Sequence, residues 1–130
     1  MVLISASTFA QNTASQIRHS ILAFVSLGDS NDAENLETVL HDQHRLIWND
    51  GTKAPFIADK SLYLSKIASG EWGGDQREVT IESIEIFDEA NASVKAILDG
   101  SSAQMRSIFL LIKENDDWKI ITELVNATFK

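Results

Sequence analysis

Apolar residues recur at two different periods along this chain, and the change of period divides it. Between Thr13 and Leu27, Ile17, Ile21, Phe24 and Val25 fall at helical spacing on one stripe. The spacing predicts an amphipathic helix, ended by Gly28 as a left-handed cap. A second helix is predicted from about Asp32 to Leu40. Asn31 is its expected cap, Glu34 stands three residues on, and Leu36, Val39 and Leu40 turn inward. "HRLIWN" (44–49) reads as a strand and "NDGT" as its turn. "ADKSLYLSKIASG" predicts a third helix, capped by Asp59 and stopped by Gly70, and "EWGGDQ" is expected to be a mobile loop.

From Arg77 the period becomes two. "EVTIESIEIF" (78–87), "ASVKAIL" (92–98), "AQMRSIFLLIK" (103–113) and "DWKIITELVNATF" (117–129) predict successive strands joined by the short polar turns "DEAN", "DGSS" and "ENDD". Connections that short make neighbouring strands antiparallel. In the first strand Val79 and Ile81 have one parity while Ile84 and Ile86 have the other; a bulge near Ser83 would restore one apolar face and bend the sheet. The order helix, helix, strand, helix, then four strands predicts an α+β fold, with three helices packed on a strongly curved, mostly antiparallel sheet.

The last two strands are apolar on both faces. Ile108, Leu110 and Ile112 oppose Phe109 and Leu111; Trp118, Ile120 and Leu124 oppose Ile121 and Val125. One face must cover the helices. A free-standing antiparallel sheet normally leaves its other face polar, so the second apolar face predicts an interface. "MVLISASTFA" could compete for the same surface.

Charge narrows the partners. The formal net charge is −8, with 11 basic residues scattered among 19 acidic ones, which argues against nucleic acid and anionic membrane surfaces. Without cysteine there is no disulfide, thiolate catalysis or Cys-ligated metal. Residues 12–130 read as one domain. Residues 1–11 read either as the remnant of an export signal, with Thr8 and Ala10 at small-x-small spacing, or as a frayed N-terminus. Localisation therefore stays open between exported (periplasmic) and cytoplasmic. No apolar run approaches the ~20 residues of a membrane span.

"LGDSNDAENLETVLHDQHRLIW" and "LLIKENDDWKIITELV", together with the order of elements, resemble the nuclear transport factor 2-like superfamily. These are cone-shaped, cystatin-like α+β domains enclosing a pocket between sheet and helices. Within it the chain is most similar to the SnoaL-like branch labelled putative lumazine-binding. In that branch "GD" ends the first helix, a His-containing stretch enters the first strand, and the chain closes with an "LLK…W-I" pattern. The resemblance implies a small-molecule-binding domain, without implying a reaction, because the superfamily holds both enzymes and binders.

The ketosteroid isomerases of this superfamily use a helix tyrosine, a carboxylate base near the end of the first strand and a protonated late-strand aspartate. Here the tyrosine position falls at about Ile21, the base at about Trp48, and Ala103 to Ile112 contains no acid. All three roles are vacant, which argues against that chemistry. Two charged positions of the lumazine-binding-like pattern also change, to Ser107 and Glu123.

The cone geometry implies a pocket lined by Trp48, Tyr63, Trp72, Ser107 and Glu123, for an unknown small hydrophobic ligand. The bland alternative is that Trp48 and Tyr63 fill the core and Glu123 is solvated. The candidate acid–base groups of an enzyme reading are Glu123 and Asp50; a buried Glu123 would have its pKa raised by desolvation. His41 and His44 are spaced by three but straddle a helix end and a strand start with no third ligand, so no metal or other cofactor is expected. No nucleophile elbow, phosphate loop or dinucleotide fingerprint occurs. Related domains often pair through the outer sheet face. The implied partner is therefore a second copy, with the strands Ala103–Lys113 and Trp118–Ala127 at the dimer interface. The alternative is a protein-interaction module that uses this face for a different chain.

Overall fold

A computed structural model describes the backbone of residues 6–130 and the side chains of residues 11–130. The long first helix, α1 (Ala6–Asp29), presents the predicted stripe to the interior, with Ile17, Ile21, Phe24 and Val25 all buried. It continues past Gly28. The left-handed residue is Asn31, at φ 56°, and its amide donates to the carbonyls of Ile67 and Trp72. That side chain is therefore not free to cap the second helix. Asp32 does so instead, accepting from Asn35 N at 3.2 Å. The second helix is a single turn, α2 (Ala33–Leu36), followed by a 3₁₀ turn over Glu37–Val39. The export or frayed-end alternatives for residues 1–11 fall mostly outside the described residues.

β1 (Leu40–Trp48) begins four residues earlier than the pattern suggests. β2 (Phe56–Asp59) is an addition to the predicted order. Its four residues follow Pro55 and lead straight into α3 (Lys60–Ala68), too short a run to show alternation. Asp59 caps α3 as expected, accepting from Leu62 N at 2.9 Å. β3 (Glu78–Phe87), β4 (Asn91–Asp99), β5 (Ala103–Glu114) and β6 (Asp117–Phe129) follow as read.

The sheet order is β2-β1-β6-β5-β4-β3. All pairs are antiparallel except β1 with β6, which run parallel. Irregularities in β1, β3 and β6 shape it, that of β1 falling between Leu40 and Arg45. In β3 the register shifts between Ile81 and Ser83, so Val79, Ile81, Ile84 and Ile86 all pair with inward residues of β4. In β6 Ile120 pairs with Leu111 but Thr122 with Leu110, leaving Ile121 as the extra residue. The β6 bulge corrects the simple alternation. After it Glu123 and Val125 face inward, and Leu124 faces out with Thr122. The core lies between the helices and the inner face. Phe24 stacks on Tyr63 with centroids 6.0 Å apart and meets Phe109 edge-on at 5.4 Å.

The "EWGGDQ" loop is fastened rather than free. Gly74 N donates to Gly28 O at 3.2 Å, and Asn31 holds Trp72 O at 2.8 Å. Gly73 has φ 81°, and a Cβ there would stand 2.3 Å from Gly28 O. Gly70 shares its backbone conformation, at φ 80°, but has open space around it. Gly70→Ala should therefore cost only the left-handed penalty of about 1–2 kcal/mol. Gly73→Ala should cost clearly more, because backbone must move as well. Urea denaturation of the two variants checks this; equal losses would refute the close approach.

Candidate functional site

Three neighbouring strands bring polar side chains together on the inner face. His44 lies on β1, Glu123 on β6 and Ser107 on β5, and all three are buried. Glu123 is registered opposite Leu46 on one side and Phe109 on the other. His44 and Ser107 each stand two residues from those partners, so the three form a diagonal row across the sheet. Tyr63 of α3 covers the row, its ring 5.3 Å from His44.

The row is short of partners. Both ring nitrogens of His44, Oγ of Ser107 and Oε2 of Glu123 are buried without a hydrogen bond to the protein. Each unsatisfied buried group costs about 1–3 kcal/mol. Together they are a substantial fraction of a stability on the order of 5–15 kcal/mol. Burial also sets their protonation. It raises Glu123 from 4.5 to about 7, an effect partly offset by the Arg77 charge. It lowers His44 from 6.5 to about 4, with help from the positive charge of Lys60. Burial, and then the charge of Glu123, push the Tyr63 hydroxyl far up, so it stays protonated. Near neutrality the row holds a neutral imidazole, a phenol and a carboxyl group at its midpoint of ionisation.

The wide end of the cone is rimmed with aromatic rings. Half-buried Trp48 stacks on Phe129 at 6.0 Å. Trp72 meets Phe56 at 6.1 Å and Tyr63 at 6.0 Å. Behind the rim, Asp29 takes Arg77 Nε at 2.7 Å and Arg77 N at 3.0 Å. This pair gives the "GD" at the end of α1 a physical meaning. The aspartate grips the start of β3, and a Cβ on Gly28 would come within 3.3 Å of Arg77 Nη2.

Of the expected pocket residues, Ser107 and Glu123 are buried on the sheet, Tyr63 is buried against Trp72, and Trp48 is half-buried beside Phe129. Asp50 sits exposed in the turn after β1, where Thr52 N and Oγ1 donate to its carboxylate at 2.9 and 2.7 Å and hold its pKa down. The histidine pair separates. His41 bonds Glu114 at 3.0 Å on the surface while His44 points inward. Among the described residues no group of three His, Cys, Asp or Glu is placed to hold a metal. From the sequence His44 is weighed only as half of a metal pair, and Asp29 and Arg77 are not weighed as candidate site residues at all. Strand alternation after Leu46 could have flagged His44; the ion pair spans 48 residues and leaves no local signal.

A family model described as "Putative lumazine-binding" matches residues 12–129. The chain belongs to this putative lumazine-binding family. Solved structures of the same fold extend the likeness. A nuclear transport factor 2-like protein of unknown function from Silicibacter pomeroyi superposes with TM-score 0.80 at 8% identity, over 92% of this chain and 98% of that one. One from Methylobacillus flagellatus gives 0.73 at 18%, covering 98% and 97%. A ketosteroid isomerase-like protein from Erwinia carotovora atroseptica gives 0.70 at 14%, covering 87% and 94%. At these identities they establish the nuclear transport factor 2-like, cystatin-like fold of this family member and nothing about its reaction. No curated protein matches the sequence. Among the described residues no helix is long and apolar enough to cross a membrane.

The two buried titrations pull stability in opposite directions. The folded state keeps a proton on Glu123 that the unfolded chain has lost above pH 4.5, so this contribution is full below 4.5 and is lost as pH rises to about 7. His44 does the reverse. Its contribution is full above pH 6.5 and is lost as pH falls to about 4. Wild-type stability should therefore change little between about pH 5 and 6.5. Glu123→Gln should unmask a rise with pH, and His44→Gln a fall. Each slope should amount to about 3 kcal/mol over its whole window. Urea titrations from pH 5 to 8 measure this; parallel profiles for all three proteins would show that neither group is buried as described.

Proposed function

We propose that this protein binds a small, mainly apolar molecule inside the cone, between the inner sheet face and Tyr63, with Glu123, Ser107 and His44 meeting its polar groups. The observation that carries this reading is the row of buried, unpartnered polar atoms on β1, β5 and β6. Two clefts lie elsewhere. One of about 740 Å³ runs outside, between α1, the 3₁₀ turn and the β5–β6 turn, and includes His19, Thr38 and Asp117. The other, of about 330 Å³, is on the outer sheet face. Volume alone does not select a site; the interior is favoured because its unsatisfied groups gain most from a ligand.

A second reading rests on Glu123 itself. A carboxyl group titrating near 7 is matched to proton transfer at neutral pH, so the same site suits an acid–base enzyme acting on a small hydrophobic substrate. Glu123→Gln separates the two. A binder keeps its ligand with affinity changed about tenfold at most. An enzyme keeps folding and binding but loses turnover by at least about a hundredfold. Native mass spectrometry of protein purified from its own host would identify the ligand to use. A bare protein that also fails to bind any of a panel of small apolar molecules would overturn both readings.

For assembly we favour a two-fold homodimer through the outer sheet face. Ile108, Leu110 and Leu124 are each about 40% exposed there, beside Ile47 and Ile57. The cleft among them carries Lys95, Arg106 and Glu82. Both charge signs in one apolar patch suit a self-complementary contact. Ile108 and Leu124 are registered side by side. Substituting both by Glu should yield a folded monomer where the wild type is a dimer, read by light scattering. A wild-type monomer would point to a different chain as the partner of this face.

A further inference from the structure

The Arg77 side chain is only 12% exposed, yet the strong acceptor it has is used by one of its nitrogens. Asp29 holds Nε and the backbone N–H of Arg77. Among the described residues, the acceptor of Nη1 is the thioether of Met105, at 3.7 Å, a weak one. Nη2 lies against Gly28. The anchored edge fixes the plane of the guanidinium and leaves its terminal nitrogens under-used. Met105, which they touch, is two residues from Ser107 on the same strand, and a strand rises about 3.3 Å per residue. Met105 therefore places Arg77 roughly 7 Å along the strand from Ser107, about the length of one substituted ring, with Glu123, registered opposite Phe109, two residues deeper.

We propose that Arg77 is the recognition group for an sp² oxygen, carboxylate or carbonyl, on the molecule bound in the cone, with Asp29 as its positioning residue. This rests on the interior-site reading and adds the ligand's chemistry to it. The ligand is a flat apolar ring system with an oxygen acceptor at the rim end and its other edge against Glu123 and Ser107. The fork of N–H groups on a planar guanidinium matches such an oxygen, and its burial, at 12% side-chain exposure, limits competition from water. The charge of Asp29 offsets that of Arg77, so either a neutral carbonyl or a carboxylate can be received.

The test uses the full chain and three single-ring probes of similar size: benzoate, acetophenone and toluene. Binding is followed by amide and Arg Nε–H chemical shifts in NMR titrations up to about 10 mM, the weak-affinity range expected of fragments. Shifts should centre on Ser107, Glu123 and Arg77 Nε–H, with the oxygen-bearing probes binding at least about tenfold tighter than toluene. Arg77→Gln should reduce that preference to within about twofold, while Arg77→Lys retains part of it for benzoate. Benzoate above acetophenone would mark an anionic ligand, and parity a neutral carbonyl. If all three probes bind the interior alike, the role of Arg77 is refuted and the interior site survives. If none reaches the interior, both fall. The wild-type comparison decides the matter even if Arg77→Gln fails to fold.

Discussion

Strand alternation is a rigid constraint, and this fold depends on breaking it, in β1, β3 and β6. A strand that keeps strict alternation must put Val79 and Ile81 on the opposite face from Ile84 and Ile86. The extra residue in β3 brings all four inward and bends the sheet around α1. In β6 the stakes are higher. Trp118 and Ile120 face the core, so unbroken alternation would bury Thr122 and Leu124 and put Glu123 outside. The bulge at Ile121 reverses this. One residue of slippage thus decides both that a carboxyl group enters the core and that a leucine leaves it.

The cost is visible in the electrostatics. Glu123 is buried with Arg77 as its stabilising charge, but Arg77 is already committed to Asp29, so desolvation prevails and the carboxyl group holds its proton to about pH 7. The imidazole of His44 is buried too and is driven the other way. A core made only for stability would carry apolar residues at these positions. Local sacrifice of stability around a cluster of polar groups is the usual mark of a site.

Much of the fold was legible because its signals are local. Periodicity placed α1, α3 and the four C-terminal strands, and the parity break in "EVTIESIEIF" announced the β3 bulge. That of β6 stayed hidden. "KIITELV" is apolar at nearly every position, so no parity break marks Ile121, and the inward turn of Glu123 emerges only from pairing with β5. The errors at Gly28 and Asn31 share one cause. Each residue looked like a helix punctuator, but each is recruited by partners some 40 residues away, Arg77 and Trp72. For the candidate site, the aromatics and Glu123 were suggested by the family's shape, whereas the Asp29–Arg77 pair is created by tertiary structure and has no local signal.

The same sheet ends in two free edges, and these are treated differently. β2 is four residues long, which offers little template. β3 is ten residues long and would invite an incoming strand along its unpaired rim. It carries Glu78, Glu82 and Glu85, and the irregularity after Ile81 interrupts its backbone line. Charge and kink together discourage edge-to-edge growth into fibres. The device that bends the sheet around its inner side therefore also insulates it laterally.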